Sequence, residues 1–66
     1  MFNAQALKAE IVRNGLTQRE VAKSIGMSAN TFSSKMKNGS FGMDEAAKMI
    51  ELLGIKDAGA IFFARE

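Results

Sequence analysis

Apolar residues recur along this chain at the three- and four-residue intervals of helices resting on a core, separated by short polar or glycine-containing breaks. Leu7 and Ile11, with Val12 beside them, mark the first stripe, and the spacing predicts a helix over 4–14. Asn3 stands where a side-chain oxygen can take a backbone N–H that the first turn leaves unmade. Phe2 and Leu7 occupy the two positions of a hydrophobic staple, and Gly15 supplies the left-handed exit. A second helix is predicted over 18–25, opened by Thr17 and Glu20 as an S/T-x-x-E capping box and stapled by Leu16 and Val21. Its inward residues are Val21, Ala22 and Ile25. Gly26 marks a turn, and a third helix follows over 29–38, capped by Ser28 and stapled by Met27 and Phe32. Phe32 and Met36, one turn apart, point at the core. Asn38-Gly39-Ser40 reads as a loop. A fourth helix is predicted over 43–53, with Ala46, Ala47, Ile50 and Leu53 as its stripe and Gly54 as its stop. Asp44 and Glu45 suit the positive end of its dipole. Asp57 opens a last short helix over 58–63. Strand-type alternation is absent, so the expected class is all-α.

Composition narrows the picture. Sixty-six residues make a single domain over 1–66; at this size folding hides only about 60% of the unfolded chain's surface. With no cysteine, neither a disulfide nor a thiolate metal site can staple it. No apolar run approaches the ~18 residues that span a bilayer, and MFNAQALKAE lacks the charged start and apolar core of a secretion signal. The expectation is a soluble, cytoplasmic protein. The absence of His, Cys, Tyr and Trp leaves only Asp, Glu or Lys for acid–base work. Their spacings are those of solvated helix faces. No enzyme activity, cofactor, metal or small-molecule ligand is expected.

Charge is distributed unevenly. From Arg13 to Lys37 there are five cations (Arg13, Arg19, Lys23, Lys35, Lys37) and one acid, Glu20, while the rest carries four cations and six acids. The net charge of +2 therefore conceals a local excess of +4. The outer face of the third helix, Ala29, Asn30, Ser33, Ser34 and Lys37, is small, polar and free of acid, which suits close approach to a polyanion.

The stretch from Leu16 to Met36, LTQREVAKSIGMSANTFSSKM, thus holds two capped helical patterns hinged on Gly26, the layout of a helix-turn-helix. With these elements placed, the chain resembles the Cro and repressor-like helix-turn-helix family of small phage and bacterial regulators. Counting from Gln18, the residues Val21, Ala22, Ile25, Gly26, Met27 and Phe32 fall where that family's motif has its preferences. Asp44 to Ile55, DEAAKMIELLGI, looks like the family's fourth helix and its exit. The resemblance covers about residues 7–62, and the ending IFFARE looks most like small regulators from phages or prophages of Gram-positive bacteria. Two departures stand out. Lys35 occupies a motif position that is usually apolar, with Met36 next to it. Ile11 and Met36 occupy the aligned positions of an arginine–glutamate pair that many relatives bury; both partners here are apolar, a replacement that is often neutral or stabilising.

The resemblance implies a compact five-helix, lambda-repressor-like domain that sets its third helix in the major groove of double-stranded DNA. In the resembled family the glutamine matching Gln18 bonds a phosphate. Arg19 is expected to add a charge-assisted bond, with Lys35, Lys37 and Asn38 flanking the groove. Base reading falls to Ala29, Asn30, Ser33 and Ser34. Asn30 leads, because an amide can pair bidentately with adenine; Ala29 can meet a thymine methyl, Ser33 several bases, and Ser34 a base or a phosphate. Thr31 supports the capped turn. Phe62 and Phe63 cannot easily both be buried, so one is expected to close the core and the other to meet a second subunit. Two copies on a palindromic operator would restore the affinity that one small module lacks. The resulting expectation is a homodimeric, Cro-like repressor whose control comes through its own concentration. The competing reading is a helical protein-interaction module, or an antitoxin, on the same fold. An interaction module would need large apolar anchors on the third helix, where none is found.

Overall fold

Polar caps open the helices of this chain. Asn3 Oδ1 accepts the Ala6 N–H at 3.1 Å. Thr17 Oγ1 accepts the Glu20 N–H at 3.1 Å while the Glu20 carboxylate accepts the Thr17 N–H at 2.8 Å, closing the capping box. Ser28 Oγ accepts the Thr31 N–H at 3.1 Å and Asp57 Oδ1 the Ala60 N–H at 3.2 Å. The fourth helix begins on Gly42, which has no side chain to offer. There Glu45 reaches back and accepts the Gly42 N–H at 2.8 Å.

The computed structural model describes residues 2–63, and the caps delimit five α-helices within them. These are α1 Ala4–Arg13, α2 Gln18–Ser24, α3 Ala29–Asn38, α4 Met43–Leu53 and α5 Ala58–Phe62, with no strand among the described residues. The chain is all-helical. Helices α1, α2 and α5 each stop one residue short of the sequence expectation, because Asn14, Ile25 and Phe63 serve as C-caps. The last three residues of IFFARE lie outside the described residues. Among the described residues no helix is long and apolar enough to cross a membrane.

One core unites all five helices and the segment after α4: Leu7, Ile11, Val21, Ala22, Ile25, Phe32, Met36, Met49, Leu53, Ile55 and Ile61. Fully burying a large aliphatic or aromatic side chain is worth about 1.5–3 kcal/mol, and Phe32, Leu7 and Met49 are completely enclosed. Two core assignments made from the pattern are corrected. Val12 is 74% exposed, since one residue past Ile11 swings 100° round the helix and off the stripe. In α4 the stripe is Ala46, Met49 and Leu53, at intervals of three and four; Ala47 is exposed and Ile50 only half-buried. Met49 fills the centre, a place its unbranched thioether can fit.

Two sets of contacts lock the helices in place. Phe41, in the loop after α3, packs against Phe32 (ring centroids 5.3 Å apart) and Phe2 (5.6 Å), and Phe2 packs against Phe62 (5.9 Å). The Asn3 N–H donates to the Ile61 carbonyl at 2.7 Å, joining the start of α1 to α5. At the opposite end of α1, Arg13 Nη2 and Asn14 Nδ2 both donate to the Leu53 carbonyl, at 2.9 and 3.0 Å, and so close the C-terminus of α4.

Candidate nucleic-acid interface

Helices α2 and α3 meet through a tight reversal. The Gly26 N–H donates to the Lys23 carbonyl at 3.1 Å and the Met27 N–H to the Ala22 carbonyl at 2.9 Å, folding the chain back over the end of α2. Gly26 takes φ +76°, a left-handed conformation that a side chain would resist. Val21, Ala22 and Ile25 are buried on one side of this reversal and Phe32 and Met36 on the other. Thr31 supports the turn as expected: its hydroxyl accepts a hydrogen bond from Ser28 Oγ at 2.9 Å.

With Phe32 and Met36 turned inward, α3 leaves Ala29, Asn30, Ser33, Ser34, Lys37 and Asn38 exposed, and this face contains no acid and no large apolar side chain. Gln18 is half-buried at the start of α2, and Arg19 beside it is exposed. Gln18, Ser33 and Lys37 come together, lining with Lys8, Ala4 and Met36 a cleft of about 310 Å³ where α1, α2 and α3 converge. Asn38 lies further along, with Lys37 on a neighbouring cleft bordered by Phe2 and Gly39.

Lys35 is set apart from the others. It is half-buried, and its Nζ lies 2.9 Å from both carboxylate oxygens of Glu45. This corrects its expected place at the groove: its charge is neutralised and its amine is held against α4. The Gly42 N–H and then the Lys35 side chain hold the Glu45 carboxyl below the ordinary glutamate range. Arg13 is likewise engaged, by Glu10 through Nε at 3.0 Å and by the Leu53 carbonyl.

The local charge excess read from the linear sequence is therefore smaller in space. Glu10 and Glu45 lie outside the Arg13–Lys37 window in sequence but neutralise two of its five cations. Among the described residues Arg19, Lys23 and Lys37 form no ion pair, and neither does Lys8. Lys8 was missed because it precedes the α2–α3 stretch by ten residues. The available signal was its spacing: it stands one turn after Ala4, on the flank of the Leu7–Ile11 stripe.

Elsewhere charges balance. A cleft of about 440 Å³ between α1 and α5 carries Glu10, Arg13, Lys56 and Asp57. Among the described residues no three His, Cys, Asp or Glu side chains are grouped to hold a metal ion. Of the two terminal phenylalanines, Phe62 packs on Phe2 and is half-buried, which corrects its place as a dimer contact; Phe63 is 60% exposed. Comparison with family models, with curated proteins and with solved structures yields no match to this chain.

Proposed function

We propose that this chain is a lambda-repressor-like helix-turn-helix regulator that binds double-stranded DNA with α3 in the major groove. The observation that carries the reading is the two-sidedness of α3: Phe32 and Met36 are buried, while Ala29, Asn30, Ser33, Ser34 and Lys37 form an exposed surface without acids. Asn30, in the first turn, is the leading base reader, with Ala29, Ser33 and Ser34 beside it. Gln18, Arg19, Lys37 and Asn38 serve as phosphate contacts; Lys35 stays with Glu45. Such a module works as a homodimer on a palindromic operator, with half-sites about one helical turn, roughly 34 Å, apart. Phe63 is the exposed aromatic available to a second copy. The biological role is that of a cytoplasmic, Cro-like repressor of phage or prophage type.

The competing reading, a protein-interaction module or antitoxin, finds no anchor on α3. The large exposed apolar residues are Val12, Met43, Leu52 and Phe63, all on other elements. Titration against mixed-sequence duplex at two salt concentrations separates the readings. With roughly three phosphates neutralised per subunit, a dimer should give a log–log salt slope on the order of −5. A flat response would favour the interaction module. Selection from a random duplex pool, repeated with Asn30→Ala, then tests the base assignment. The substitution should relax preference at one position per half-site by about 1–3 kcal/mol.

A further inference from the structure

We infer that the cleft between α1, α2 and α3 is a phosphodiester subsite and that Lys8, on the first helix, is its principal cation; this rests on the DNA-binding reading and extends it. Three observations support the assignment. The cleft is lined by two lysines, Lys8 and Lys37, one glutamine and one serine, without a carboxylate. Both lysines are exposed and unpaired among the described residues, whereas Arg13 and Lys35 are held by acids. The remaining lining is Ala4 and Met36, an apolar floor of the kind that accepts a deoxyribose beside its phosphate.

The chemistry follows from the donors. Lys8 and Lys37 approach from different helices and can neutralise one phosphate between them. The Gln18 amide and the Ser33 hydroxyl can donate to its remaining oxygens. Because the cleft adjoins Ser33 and Lys37, a phosphate there lies on the strand flanking the exposed face of α3. It would fix how far α3 slides along the groove. Helix α1 thereby joins the binding surface in addition to supplying Leu7 and Ile11 to the core.

The test compares wild type, Lys8→Ala, Lys8→Arg and, as a distant control, Lys56→Ala, on a mixed-sequence duplex over a salt series, with helicity checked by circular dichroism. Lys8→Ala should weaken binding roughly three- to tenfold at low salt, evenly across sequences, and reduce the salt slope by about 0.9 per bound subunit. Lys8→Arg should restore most of the loss, and Lys56→Ala should bind as wild type. Backbone amide resonances of Lys8, Gln18 and Ser33 should shift on addition of duplex and stay in place with inorganic phosphate at matched ionic strength. If wild type binds with a steep salt slope and Lys8→Ala matches it, the subsite is refuted while the DNA reading stands. Shifts with inorganic phosphate alone would replace the phosphodiester assignment with a free-anion site. If wild type shows no salt-dependent binding, both fail together.

Discussion

The two flanks of this small bundle use positive charge in opposite ways. Where α1 meets the end of α4, Arg13 is tied to Glu10 and to the Leu53 carbonyl, and Asn14 closes the same carbonyl. There the cation is part of the scaffold. Across the molecule, where α1 meets α2 and α3, Lys8, Arg19 and Lys37 reach into water with no acid bound to them. A net charge cannot tell these uses apart. The difference teaches that a basic stretch should be weighed by which of its cations already have a partner in the fold. Here the partners, Glu10 and Glu45, come from outside the stretch.

The sharpest break of that contrast would come from α3, whose two faces lie one side-chain width apart. Phe32→Ala removes a fully enclosed ring and should lower stability by about 3–5 kcal/mol, enough to unfold much of so small a domain. Asn30→Ala, exposed in the same helix, should stay within about 0.5 kcal/mol of wild type. Urea unfolding followed by circular dichroism measures both, and similar losses would mean the two faces are wrongly assigned. A smaller effect is expected at Gly39, which ends α3 at φ +65°; a Cβ there would also stand 3.0 Å from Phe2 Cβ. Gly39→Ala should therefore destabilise by about 1–2 kcal/mol from the left-handed backbone alone, more if Phe2 cannot yield.

The smallest effect concerns the Lys35–Glu45 pair. The folded-state pKa of Glu45 is depressed, by the Gly42 N–H first and Lys35 second. Its contribution is therefore complete above the unfolded-state value and disappears as pH falls through the folded one. Thermal midpoints should decline with acid over that window. Glu45→Gln should flatten this part of the profile, and Lys35→Met should flatten it only in part, since the Gly42 bond remains. An unaltered profile for Glu45→Gln would show that the carboxylate contributes nothing to stability in this window.

The helices could be read from the linear chain because their start and stop signals are local. Asn3, Thr17, Ser28 and Asp57 each cap a turn three residues away, and Gly15, Gly26, Gly39 and Gly54 each follow a helix with positive φ. The face of α3 was legible for the same reason, since Phe32 and Met36 fix its rotation. Long-range pairing was not legible. Lys35 looked like a groove cation until α4 brought Glu45 to it, ten residues on. Lys8 looked like an ordinary solvated lysine until α1 crossed beside α2 and α3. Met49 was overlooked because Ala46 and Ala47 describe the phase of α4 poorly: two small neighbours leave its stripe free to shift by one residue.

Phe2 carries a consequence for how disturbance spreads. Its ring rests on Phe62 of the five-residue α5, and its Cβ lies against the backbone of Gly39, where α3 ends. A short helix held chiefly by Ile61, Phe62 and one backbone bond is the part of such a bundle that opens earliest in hydrogen exchange. When α5 lifts, Phe2 loses one wall, and the last turn of α3 is the next to feel it.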